Sequence, residues 1–143
     1  MDRTQQAVST FQSGFNCSQA IVRTYGPDYG LSPLDGLRVG CGFGGGMRRA
    51  ETCGAVTGAL MILGLRYGPQ HLADIAAKES VYAKVTEFCA RYESRCGSIV
   101  CRELLGCDIS SPEGMERATV DGLFRTVCPK IVQTAAEILE EMC

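Results

Sequence analysis

The chain has 143 residues, 45% hydrophobic and 21% charged, a length and balance expected to give one globular domain over residues 1–143 with its own core. A net charge of −2 gives no electrostatic basis for a nucleic-acid or anionic-membrane partner. Nine cysteines, an odd number, in a chain without sustained strand alternation argue against a small secreted disulfide scaffold and for thiol chemistry in a reducing compartment.

Taken from the N-terminus, Met1-Asp-Arg-Thr-Gln-Gln holds no apolar signal core, so a cytoplasmic location is expected. A first helix over Arg3–Gln12 turns Ala7, Val8 and Phe11 inward and stops at Ser13-Gly14. Asn16 caps a second helix, Cys17–Tyr25, with Ala20, Ile21 and Tyr25 on its apolar face. Gly26-Pro27 ends it. Ser32-Pro33 is a cap followed by proline at the first helical position, and the short helix it starts carries Leu34, Leu37 and Val39 into a glycine loop.

That loop and its sequel are the centre of the chain. Val39-Gly-Cys-Gly-Phe-Gly-Gly-Gly-Met47 leads through Arg48, Arg49 and Glu51 to Thr52, expected to cap an apolar helix with Cys53 in its first turn and Leu65 near its end. Gly54 and Gly58 share one face of it, suited to a close helix, a cofactor or a second copy of the chain, so a homo-oligomer is compatible with the sequence. The apolar run from Cys53 to Leu65 falls short of the ~20 residues that cross a bilayer, which predicts a buried core helix and no membrane insertion. Gly44, Gly45 and Gly46, with Gly54 and Gly58, are the candidate cofactor-binding backbone. The loop lacks both the G-x-G-x-x-G strand context and the Walker lysine-serine pair, so a sharp turn that lets helices pass closely is the simpler reading.

After Gly68-Pro69 the longest helix is expected over Pro69–Cys96, with Leu72, Ile75, Tyr82, Val85, Cys89 and Tyr92 as one apolar stripe. His71, the only histidine, falls in its first turn as a solvated residue, and without a second histidine hydrolase triads are poorly served. Ser98 caps a helix over Ile99–Leu105 that holds Cys101, and Ser111-Pro112 starts another. The last helix starts at Cys128-Pro129 and buries Ile131, Val132, Ala135, Ile138 and Leu139, with Cys143 fraying at its end. The expected fold is all-α: a compact bundle of about six to eight helices, one of them long, with a Gly-rich loop.

Cys17, Cys53, Cys101 and Cys128 each fall at or near a predicted helix start, where partial positive charge favours a thiolate by ~1 kcal/mol. Cys96, Cys101 and Cys107 are spaced C-x4-C-x5-C, and no C-x-x-C occurs, so neither a thioredoxin-like dithiol nor a local zinc or ferredoxin motif is present. Any site is assembled by the fold. Cys89 reads as packing and Cys41 as ambiguous.

Five pieces, in order along nearly the whole chain, carry a family resemblance: Gly14-Phe-Asn-Cys17-Ser-Gln-Ala20, Gly42-Phe-Gly-Gly-Gly-Met47, Glu51-Thr-Cys-Gly-Ala-Val-Thr-Gly-Ala59, Cys101-Arg-Glu-Leu-Leu-Gly106 and Val127-Cys-Pro-Lys130. With them the chain resembles the C_GCAxxG_C_C family of redox-active proteins. The resemblance implies that Cys17, Cys53, Cys101 and Cys128 are the four signature cysteines. It also implies a redox-active disulfide or a bound cofactor, and genes near those of transporters. Three functions are therefore expected in order of preference. The first is a thiol-disulfide oxidoreductase acting on an unidentified redox partner, with Cys53 as attacking thiolate and another of the four as resolving sulfur. The second is a metal site in which Cys17, Cys53, Cys101 and Cys128 all ligate zinc or an iron-sulfur cluster for electron transfer. The third is a transporter-associated interaction module.

Overall fold

A computed structural model describes residues 1–143, and the all-α expectation holds. Helix α1 spans Arg3–Gln12, α2 Cys17–Tyr25, α3 Pro33–Gly40, α4 Gly54–Tyr67, α5 Ile75–Cys96, α6 Cys101–Leu105, α7 Pro112–Val120, α8 Leu123–Thr126 and α9 Cys128–Met142. The single turn α8 is one the sequence reading did not separate. No helix is long and apolar enough to cross a membrane.

Helix α4 is the central element. Ala55, Val56, Ala59, Ile62 and Leu63 are fully buried, and α2, α5 and α9 pack around it. Each large aliphatic side chain buried in this way stabilises the fold by about 1.5–3 kcal/mol, so α4 and α9, with Ile131, Val132, Ile138 and Leu139 inside, carry most of the core. Gly54 and Gly58 form the seam against α2. A Cβ on Gly54 would sit 3.1 Å from the Ser18 nitrogen, and one on Gly58 3.1 Å from the Ser18 oxygen, so the absence of side chains sets how near α2 comes. Glycines do the same for α3, whose Gly36 and Gly40 lie on α2 while Leu34 and Val39 remain exposed.

Two expectations about α5 are corrected. The helix starts at Ile75, because Asp74 accepts the Ala77 N–H at 3.1 Å and caps it there, leaving 69–73 as a turn that contains His71. The expected stripe holds only in its C-terminal part: Tyr92 is buried and Val85 and Cys89 are half-buried, whereas Leu72, Ile75 and Tyr82 are exposed and Phe88, outside the stripe, is buried. The N-terminal half of α5 extends beyond the core, and its C-terminal half is held to α9 by Arg91 and Arg95, which bond Glu141 at 3.0 and 2.6 Å.

A two-residue antiparallel bridge pairs Thr52 with Val100. The Cys53 N–H donates to the Ile99 carbonyl (2.7 Å) and the Cys101 N–H to the Glu51 carbonyl (2.6 Å), so the starts of α4 and α6 are joined through backbone. Thr52 is thereby drawn into the bridge, and Cys53 takes the cap position expected for it. Ser98 acts two residues further upstream than expected. Its hydroxyl accepts the Val100 N–H at 2.9 Å, and α6 begins at Cys101.

The glycine loop is a left-handed turn. Gly45 (φ 64°, ψ 34°), Met47 (60°, 32°) and Arg48 (60°, 17°) share that conformation, with Gly46 at φ 61° and Ala50 at φ 53°. Three non-glycine residues there cost about 1–2 kcal/mol each. What holds them is tertiary: the Glu51 N–H bonds the Gly46 carbonyl at 3.1 Å, Ala50 is fully buried, and Arg102 grips Glu51 at 2.9 Å.

Candidate functional site

Cys17, Cys101 and Cys128 are the first residues of α2, α6 and α9, and Cys53 is the residue before α4. All four line one cavity of about 690 Å³. Its walls are apolar side chains from α1, α6, α7 and α8, with the backbone of Gly44, Gly45, Gly46 and Gly54 between them. Gly58 does not reach the cavity; it packs against Ser18 and Ile21 and acts as spacer.

Cap chemistry fixes the first of these sulfurs. The Asn16 side chain accepts the Gln19 N–H (2.9 Å), the Gln19 side chain accepts the Asn16 N–H (2.9 Å), and the same two amides donate to the Cys41 and Leu37 carbonyls at 3.0 and 2.8 Å. One reciprocal cap thus orients Cys17 and ties the end of α3 to the start of α2.

The Cys17 thiol faces those of Cys128 and Cys53. These neighbours, together with burial and repulsion from either sulfur when ionised, push its pKa well above the ordinary thiol value. Cys53 moves the other way. The Cys17 thiol as donor, followed by the Ala55 and Val56 N–H groups and the Tyr92 hydroxyl, lowers its pKa although burial opposes this. Burial raises Cys101 to about 12, with the Cys53 and Cys128 sulfurs adding to it, so Cys101 is a neutral thiol at physiological pH. One sulfur in the group is therefore favoured as thiolate, beside a neighbour that retains its proton.

Tyr92 is a site residue that sequence reasoning placed only in a packing stripe. It is fully buried, its hydroxyl bonds the Ile131 carbonyl at 3.3 Å, and it lies within reach of the Cys53 and Cys96 sulfurs. Burial, and after it the neighbouring thiols, raises its own pKa far above the usual phenol value, so it serves as a donor and never as a competing anion. Tyr92→Phe is expected to shift the pH midpoint of Cys53 alkylation upward. It is also expected to lower stability by ~1 kcal/mol through loss of the buried hydrogen bond from its hydroxyl to the Ile131 carbonyl, the two effects being read from iodoacetamide rates across pH and from urea unfolding. An unmoved midpoint would remove Tyr92 from the site.

The remaining candidates separate cleanly. Cys41 is exposed on the cavity rim, Cys89 and Cys96 lie half-buried along α5, Cys107 packs in the smaller cluster near α6, and Cys143 is exposed. His71 is exposed and does not line the cavity. Arg48 lines it, and so does Arg125 of α8, for which the sequence offered no signal.

No three His, Cys, Asp or Glu side chains lie where one ion could bind them. The contacts of Cys17 with Cys53 and Cys128 bring three of the four sulfurs together, an arrangement in which one sulfur can exchange with another.

Residues 15–142 match the family model described as "Putative redox-active protein (C_GCAxxG_C_C)". No curated protein matches, and no solved structure does.

Proposed function

The chain belongs to the C_GCAxxG_C_C family of redox-active proteins, and from that premise we propose that it exchanges thiols with disulfides through Cys53 and Cys17. The observation that carries this reading is geometric: the Cys17 and Cys53 sulfurs lie within hydrogen-bonding reach of each other at two helix starts on one cavity, where the Ala55 and Val56 N–H groups and the Tyr92 hydroxyl also reach Cys53 and lower its pKa.

The Cys53 thiolate attacks one sulfur of a disulfide RS–SR′, forms the Cys53–S–S–R bond and expels R′S⁻, which takes up a proton. This step removes the negative charge beside Cys17, so one cause of its raised pKa disappears and it ionises more readily. Cys17 then attacks the Cys53 sulfur and expels RS⁻. The balance is one external disulfide reduced to two thiols and two cysteine thiols oxidised to one disulfide, with an external dithiol needed to restore the protein. Cys128 contacts Cys17 and is placed to exchange with it in turn.

Protein purified without oxygen is expected to be colourless, free of stoichiometric metal, and to lose two titratable thiols on mild oxidation, with a Cys17–Cys53 cross-link in its peptide mass map. Brown protein, stoichiometric zinc, or a cross-link that omits Cys53 would overturn the reading.

A further inference from the structure

We propose that the disulfide this centre takes is a small molecule with an apolar body and an anionic group, seated in the four-cysteine cavity and oriented by Arg48 and Arg125. The inference rests on the exchange reading and narrows it to a substrate class.

Access comes first. Cys53, Cys101 and Cys128 are 4%, 7% and 5% exposed, so the attacking sulfur lies at the floor of the cavity and not on a surface. A disulfide within a folded protein carries backbone on both sides and cannot be lowered to such a sulfur, whereas a small molecule can. A cavity of about 690 Å³ is also within the range that encloses organic ligands.

Wall chemistry selects among small molecules. Phe11, Phe15, Leu104, Ile109, Met115 and Phe124 offer an apolar, largely aromatic and thioether surface for a ligand's body. The only charged side chains on the wall are Arg48 and Arg125; no carboxylate, lysine or histidine is there. Neither arginine has an acidic partner, while Arg91, Arg95 and Arg102 elsewhere in the chain do. The Arg48 guanidinium folds back beside Gly45 and Ile109, and the left-handed backbone at 45–48 is what brings it there. The starts of α2, α4 and α9 add positive potential in the same direction, and the reduced site sets against all of this only the Cys53 thiolate. A chain with more acidic than basic residues has built a cavity with surplus positive charge, which an anionic group on the ligand satisfies.

The test uses the full-length reduced protein and three probes: dithiobis-nitrobenzoate, an aromatic disulfide bearing carboxylates; dithiodipyridine, an uncharged aromatic disulfide; and insulin, a protein disulfide. Single-turnover rates with each small probe are divided by that probe's rate with free mercaptoethanol, which removes intrinsic reactivity. The normalised rate is expected to favour the anionic probe by about tenfold or more, declining with salt. In Arg48→Gln/Arg125→Gln the ratio of the two normalised rates should fall to near parity, and in Arg48→Lys/Arg125→Lys it should return. Insulin should stay oxidised. Equal normalised rates in the native protein, a preference that survives the double glutamine variant, or rapid insulin reduction each overturns the substrate class and leaves Cys53 exchange standing. Failure of Cys53 to react with any probe overturns the exchange reading itself.

Discussion

Cys53→Ser is expected to slow reaction with a small disulfide in the cavity by at least about a hundredfold, because Cys53 is the thiol whose pKa is lowered there while those of Cys17 and Cys101 are raised. Cys101, at about 12, is ionised in only about one molecule in 100,000 at neutral pH. Cys17 regains some reactivity once Cys53 no longer repels its charge, which is why the loss is bounded. Cys17→Ser should behave differently: the first attack proceeds, the second does not, and intact-mass spectrometry should find the probe trapped on Cys53. The pH dependence has a definite sign. Exchange should rise as pH climbs through the lowered Cys53 pKa and level off above it, and the midpoint should move up in Cys17→Ala, which deletes the first of the donors that lower it. The same lowering contributes stability that is complete above the unfolded thiol value of ~8.5 and is lost as pH falls through the folded one. Native-like exchange by Cys53→Ser would remove the proposed nucleophile.

Gly46→Ala is expected to destabilise the fold by about 2–5 kcal/mol, the sum of a left-handed alanine (~1–2) and a forced contact (~1–3). An added methyl would lie 2.5 Å from the Glu51 nitrogen, 2.7 Å from the Glu51 oxygen and 3.0 Å from the Cys101 Cβ. Those backbone atoms cannot step aside, since the nitrogen closes the left-handed turn and the oxygen receives the Cys101 N–H. Gly45→Ala is the matched control. It has nearly the same φ, 64° against 61°, but would meet only the ends of the Arg48 and Ile109 side chains at 3.3 Å, so it should lose only the conformational ~1–2 kcal/mol. Urea unfolding of the pair measures the difference. Equal midpoints would mean that the turn does not hold Cys101 against Gly46.

The parts of the fold that could be read from the sequence are those fixed within a few residues. Asn16 before Cys17, Ser32-Pro33, Ser111-Pro112 and Cys128-Pro129 all mark helix starts, because a cap bonds to N–H groups two or three positions away and the proline ring presets the first helical turn. Gly54 and Gly58 could be read as a close-packing face for a similar reason of spacing. The errors arise where a distant partner decides. Thr52 is a good cap in isolation, yet Val100 draws it into a bridge. The periodicity of Leu72, Ile75 and Tyr82 defines a helix face correctly, but periodicity does not say whether anything covers it. Met47 and Arg48 carry no signal for a left-handed backbone, which the bonds of Glu51 and Arg102 impose from outside the loop. The placement of the four cysteines at helix starts was legible. Their shared cavity, the part played by Tyr92 and the two arginines were not, because each depends on which helices meet.

The bridge between Thr52 and Val100 has one more consequence. Because residues 52 and 100 are neighbours in space, everything from α4 through α5 is an excursion that leaves from and returns to a single point beside the sulfurs. Lengthening it at its outer tip, the exposed turn at 69–73, adds closure entropy that grows only as the logarithm of the added residues and leaves the anchored ends in place. That tip is accordingly where a reporter domain can be inserted, or new chain ends opened by circular permutation, with the thiol geometry preserved.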